Sequence, residues 1–137
     1  MASKCAVPSS MGYDEFLSRA SCEVIVCHSD RDFDGFMSMA SGKPGSDVVV
    51  VDFYAEWCGD CRQMDPFLQD WVKKLPGVIF LKVNIEKAKE AAKRWRVQSI
   101  PTFVLFKKGH AVATLVGANK KDELLSKIVE HMPPKGR

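Results

Sequence analysis

Two cysteines three residues apart, Cys58 and Cys61, lie between an apolar run that reads as a strand and a second that reads as a helix. Thiols in that place can do redox chemistry. A helix start has backbone N–H groups without intrahelical partners and carries the positive end of the helix dipole, so a thiolate there is favoured over a thiol. The second sulfur, three residues on, lies within reach of the first on one helical turn. The pair can alternate between dithiol and disulfide with little backbone movement. Zinc sites use the same C-x-x-C spacing, and the pair alone does not separate the two chemistries. A zinc ribbon needs a second Cys or His pair at short spacing, which Cys5, Cys22, Cys27, His28, His110 and His131 do not form. Redox chemistry without a metal is the expectation.

The run Asp52-Phe53-Tyr54-Ala55-Glu56-Trp57-Cys58-Gly59-Asp60-Cys61-Arg62 resembles the active site of the thioredoxin family, with one departure: Asp60 stands where the family usually has proline. Ser99-Ile100-Pro101-Thr102 precedes an apolar stretch, Phe103 to Phe106, and Pro101 follows Cys58 by 43 residues. It matches the family's cis proline, which sits against the reactive cysteines. Pro66, five residues after Cys61, matches the proline that kinks the family's active-site helix. Asp52 matches its buried acid, Lys82 the lysine beside that acid, and Gly109 and Gly117 the glycines of its last hairpin. The resemblance covers roughly Val24 to Met132.

The resemblance implies a role for each of these positions. Cys58, nearer the helix start, is the expected nucleophile and the more exposed sulfur. Cys61 is the resolving thiol, which closes the disulfide and releases the reduced substrate. Asp52 is also informative by itself, because a carboxylate in an otherwise apolar strand is costly to bury and tends to stay protonated. Behind Cys61 it can take and return that thiol's proton, tuned by Lys82 on the neighbouring strand; the alternative is an anchoring or outward-pointing acid. Trp57, Gly59, Ile100, Pro101, Val116, Gly117 and Ala118 match the family's substrate-facing surface. An apolar patch beside a nucleophile suits an extended peptide docked through its backbone. Trp71 and Trp95 lie on helical stripes and are expected to pack.

Asp60 keeps a backbone N–H that proline lacks and suits a helix start electrostatically. It also places negative charge beside Cys58, which raises a thiol's pKa. The expectation is a less stable Cys58 thiolate and a disulfide harder to reduce than in the proline form.

A chain of 137 residues is the size of one domain, divided as a 1–21 extension, a 22–132 domain and a 133–137 tail. Apolar content of 46% and charged content of 27% are those of an ordinary globule. The net charge of +3 arises from 20 basic and 17 acidic residues spread along the chain, which speaks against nucleic-acid or membrane binding. No apolar run approaches the roughly 20 residues of a membrane helix, and Met1–Gly12 lacks the apolar stretch of a secretory signal. Five cysteines without a stapling framework suit a reducing compartment, most simply the cytoplasm. Met1–Gly12, free of acids and rich in Ser and Ala, leaves organellar targeting as an alternative. Cys22 and Cys27, five apart around a strand, face opposite ways and are not expected to bridge. Cys27 reads as a buried residue, and Cys5 and Cys22 as potential regulatory thiols.

The elements that must position the site follow from periodicity. Tyr13–Leu17 reads as a helical turn and Glu23–Cys27 as a first strand. A helix capped by Ser29 or Asp30 buries Phe33, Phe36, Met37 and Ala40. Ser41–Ser46 is loop, and Val48–Tyr54 a central strand covered on both faces. The helix after Cys58 buries Phe67, Leu68, Trp71, Val72 and Leu75 and stops at Pro76-Gly77. Val78–Asn84 is a strand, and Glu86–Trp95 a helix. Phe103–Phe106 and Ala111–Val116 form a hairpin. Asn119 caps a last helix that buries Leu124, Leu125, Ile128 and Val129 and ends at Pro133-Pro134. The order β-α-β-α-β-α-β-β-α implies an α/β chain with a mixed five-stranded sheet and helices on both faces, which is the thioredoxin fold.

The leading functional expectation is a monomeric protein thiol–disulfide oxidoreductase with no bound cofactor. It reduces disulfides of partner proteins and is recharged by a thioredoxin reductase. A disulfide oxidant or isomerase uses the same residues but belongs in an oxidising compartment. The alternatives in other classes are a redox-gated protein-binding module and a metal or iron–sulfur site built from two chains.

Overall fold

The structure, a computed structural model, describes residues 12–41 and 48–132. Its elements are α1 (Tyr13–Ala20), β1 (Ile25–Cys27), α2 (Asp30–Ser41), β2 (Val48–Tyr54), α3 (Gly59–Lys74), β3 (Ile79–Asn84), α4 (Lys89–Arg94), β4 (Thr102–Lys107), β5 (His110–Val116), a 3-10 turn (Ala118–Lys120) and α5 (Lys121–His131). The apolar run of β2 is interrupted only by Asp52, and every residue of it is buried. Such a strand needs cover on both faces, which places it at the centre of the sheet. The sheet order is β1-β3-β2-β4-β5. β3 runs parallel to both β1 and β2, while β4 and β5 turn back as an antiparallel hairpin edge.

Alternation along β2 feeds two cores. Val49, Val51 and Phe53 join Phe16 and Ala20 of α1, Phe33 and Ala40 of α2 and Ala91 of α4. Val48 and Val50 join Met64, Leu68 and Val72 of α3 and Leu124 and Ile128 of α5. The same alternation puts Asp52 on the second face, under α3.

Side-chain hydrogen bonds fix the starts of α2 and α4. The Ser29 Oγ accepts the Asp32 N–H at 3.0 Å, and Asp32 in turn accepts the His28 N–H at 3.0 Å, an N-cap reciprocated by an acid in the first turn. The helix read over Glu86–Trp95 is shorter, starting at Lys89. Asn84 intervenes: its Oδ1 accepts the Glu86 N–H at 2.9 Å and its carbonyl the Ala88 N–H at 2.8 Å, so the chain turns before it coils. Ala88 has no side chain to cap α4. Asp30 of α2 does so from across the fold, accepting the N–H groups of Ala91 at 2.8 Å and Glu90 at 3.3 Å.

Several boundaries differ from the periodic reading. α1 is a full part of the core: Phe16 is wholly buried and stacks on Phe36 at 5.3 Å between centroids. Asn119 lies inside the 3-10 turn, and α5 begins at Lys121 without a side-chain cap. Val129 is 54% exposed, because Leu124 and Ile128 already fill the α5 stripe and the next residue sits a further 100° round the helix. Phe67 is half out for the same reason beside Leu68, and carries the Lys121 ammonium 4.5 Å from its ring centroid. Ser41 ends α2 rather than opening a loop; the rest of that loop and Pro133-Pro134 lie outside the described residues.

Candidate active site

Cys58 is the N-cap of α3, with an extended backbone (φ −86°, ψ 108°), and its Sγ accepts the Cys61 N–H at 3.1 Å. The sequence folds this way because the buried strand β2 ends at Tyr54 and the amphipathic stripe of α3 begins at Cys61, so the intervening turn delivers Cys58 to the helix start. Cys58 and Cys61 form a disulfide with Cα atoms 5.3 Å apart. Cys58 is 6% exposed and Cys61 1%. Attack from outside therefore reaches Cys58 first. A helix N–H aimed at that sulfur, with the dipole behind it, stabilises negative charge there when the disulfide opens. Tyr54, Ala55 and the half-buried Ile85 and Ile100 enclose the pair.

Asp52 of β2 is 1% exposed, with neither carboxyl oxygen bonded to any described residue. Burial pushes its carboxyl up to about 7, with Lys82 pulling it down and Asp65 pushing it up. Parallel register pairs Asp52 with Lys82. The Lys82 ammonium nevertheless bonds Asp65 Oδ1 at 2.8 Å and sits 4.1 Å from the Tyr54 ring centroid. A cleft of about 280 Å³ beside Cys61 is bordered by Tyr54, Glu56, Arg62, Asp65 and Lys82.

The surface around Cys58 comes from three segments. The Ile100–Pro101 peptide bond is cis, and Ile100 packs against the cysteine cluster while Pro101 is buried. The Gly117 N–H donates to the Pro101 carbonyl at 2.8 Å, tying the end of β5 to the start of β4. Gly117 has φ +106°, and a Cβ there would come within 3.0 Å of Asn119 Oδ1, so only glycine passes without strain. Trp57 is 65% exposed and Val116 46% exposed, with Gly59 exposed and Ala118 half-buried. Asp60 lies at the rim of a groove of about 290 Å³ with Gln63, Gly117, Ala118 and Asn119.

The structure adds residues that the sequence reading did not single out. Asp65 stands one helical turn after Cys61, a spacing that would have found it. Glu86 accepts the Trp57 indole N–H at 3.0 Å from 29 residues away, and nothing local signals it. Arg62 donates to the Glu56 carbonyl, bracing the turn before Cys58. Cys27 is wholly buried, and burial, helped by Asp32, pushes its thiol up to about 12, which makes it a packing residue. Trp71 is buried in the α3 core, and Trp95 meets Phe106 edge-on at 4.9 Å between centroids. Cys22 is half-buried after α1; Cys5 lies outside the described residues. Among the described residues no group of three or more His, Cys, Asp or Glu side chains is placed to hold a metal ion, and no helix is long and apolar enough to cross a membrane.

Comparison with known proteins agrees with this geometry. Residues 24–130 match the family model described as Thioredoxin. A "Thioredoxin H-type" protein of Oryza sativa subsp. indica is 42% identical over 109 residues, spanning 80% of this chain and 87% of its own. "Thioredoxin H1" of Arabidopsis thaliana is 44% identical over 110 residues, 80% of this chain and 94% of its own. The crystal structure of thioredoxin NaTrxh from Nicotiana alata superimposes with a TM-score of 0.75 at 36% identity, covering 81% of this chain and 94% of its own. With the fold, the vicinal cysteine pair and this degree of identity in agreement, the chain belongs to the thioredoxin family and is a protein thiol–disulfide oxidoreductase of the disulfide-reductase type.

Proposed function

We propose that Cys58 attacks disulfides of partner proteins, that Cys61 resolves the intermediate, and that Asp52 handles the Cys61 proton. The observation that carries the division of labour is the Cys61 N–H donating to Cys58 Sγ at the N-cap of α3, with Cys58 the more exposed sulfur. The Cys58 thiolate attacks one sulfur of the substrate disulfide, forming a mixed disulfide and expelling the other sulfur as a thiolate. Cys61 passes its proton to Asp52 and attacks Cys58 Sγ. The second substrate thiolate leaves, and two electrons have moved from the dithiol to the substrate. An acid titrating near neutral pH suits both taking and returning a proton.

Substrate docks on Trp57, Gly59, Ile100, Pro101, Val116, Gly117 and Ala118 as an extended peptide, with Asp60 at its edge. The exposed indole held by Glu86 and the exposed Val116 supply apolar contact beside the nucleophile. In this reading the protein acts as a monomer in the cytoplasm, carries no bound cofactor, and receives electrons from a thioredoxin reductase.

The test is dithiothreitol-driven reduction of insulin disulfides beside the Cys58→Ser variant. Fast turnover abolished in the variant is the expected result. Negligible turnover by a folded protein whose Cys58 and Cys61 still cycle reversibly would overturn it. Cys61→Ser should then trap whichever partner Cys58 attacks.

A further inference from the structure

Lys82 is in register with Asp52, yet its ammonium is held by Asp65 at 2.8 Å at the half-exposed edge of the cleft beside Cys61. The acid that would gain most from that charge is left buried and without a hydrogen-bond partner among the described residues. We propose that Asp65 is a positioning residue for proton transfer: by anchoring the Lys82 ammonium away from Asp52, it keeps the buried acid able to hold a proton at neutral pH.

The groups around Asp52 can be enumerated by element. Its own strand contributes Tyr54, β3 contributes Lys82, and α3 contributes Asp65. β4 pairs Phe103 against it, and α5 turns Leu124 and Ile128 toward the same core. Glu56 and Arg62 lie farther out, at the cleft. Lys82 is thus the cation of this inner set, and where its flexible stem directs the ammonium decides how strongly the ionised Asp52 is favoured. Asp65 acts in one direction by two routes. It holds the ammonium in the cleft, over the Tyr54 ring, and its own negative charge disfavours a second carboxylate nearby. Burial has the same sense, and so does the balance of causes acting on Asp52. The cleft also gives Asp65 and Lys82 access to solvent, with side chains 28% and 16% exposed.

This inference rests on Asp52 acting as the proton acceptor, and the experiment separates the two. The carboxyl 13C resonance of Asp52 is titrated in the oxidised protein, and the rate of mixed-disulfide resolution is followed against pH, for wild type, Asp65→Asn, Asp65→Glu and Lys82→Gln. Asp65→Asn should lower the Asp52 midpoint by about one pH unit. Lys82→Gln should raise it by a similar amount, and Asp65→Glu should restore it. The pH profile of resolution should move with the midpoint in each case. An unchanged or higher midpoint in Asp65→Asn, or the same downward shift in Asp65→Glu, overturns the role of Asp65. A midpoint that moves while the resolution profile stays put instead removes Asp52 from the reaction, and the role of Asp65 in it too.

Discussion

Replacing Asp52 with Asn should change the pH dependence of stability, by an amount set by burial. The carboxyl has an ordinary value of 3.8 and reaches about 7 in the folded chain, where it is fully enclosed. Because the folded value is the higher one, the native state holds a proton that the unfolded chain has already lost between these two values. The contribution is fully present below pH 3.8 and is lost as pH rises through about 7. At ~1.4 kcal/mol per pH unit, the whole swing is about 4 kcal/mol. Roughly 3 kcal/mol of it falls between about pH 5 and about pH 8.5. The Asn variant has no such proton to lose. Its buried amide carries a fixed penalty of about 1–3 kcal/mol if left unbonded, but that offset does not vary with pH. The assay is guanidinium unfolding of the oxidised proteins, disulfide intact, across that range. The stability difference between wild type and Asp52→Asn should move by about 3 kcal/mol in favour of the variant, or roughly 10 °C in melting temperature. A difference that moves by less than about 1 kcal/mol would refute the argument that Asp52 is buried without compensation.

Asp60→Pro should lower the Cys58 thiol pKa by about half a pH unit and make the potential more oxidising by ~15 mV, read from thiolate absorbance and glutathione equilibration; no change in either would dismiss electrostatic tuning by Asp60. Asp30→Ala should destabilise the protein by about 1–2 kcal/mol in denaturant unfolding, through loss of the α4 cap, with insulin reduction unaffected. Phe16→Ala should cost about 3–4 kcal/mol in the same assay, since Phe16 is wholly buried against Phe36; a cost below 1 kcal/mol would mean that α1 is not part of the cooperative fold.

The chemistry of the site was largely legible in the residues themselves. Cys58 and Cys61 were read from their spacing at a strand-to-helix change, from the lack of a second Cys or His pair at short spacing, and from the resemblance of the run around them. Val48–Tyr54 declared a central strand, and its lone acid declared a burial problem. Those signals are local, because hydrogen bonding and side-chain period act over a few residues. Edges were less legible. The helix expected from Glu86 starts at Lys89 because Asn84 turns the chain first, and Val129 is exposed because packing, not hydrophobicity, selects which part of a helical stripe meets the sheet.

What only the tertiary structure decided is which partner each long or charged side chain takes. Asp30 caps a helix some 60 residues away, and Glu86 fixes the Trp57 indole from beyond β3. Register places Lys82 beside Asp52, and a sequence argument stops there. The fold brings Asp65 within 2.8 Å of the same ammonium, and that competitor settles where the charge goes. Coulomb energies depend on separation and burial rather than on position along the chain, so the residues name the charges and only the fold assigns their partners.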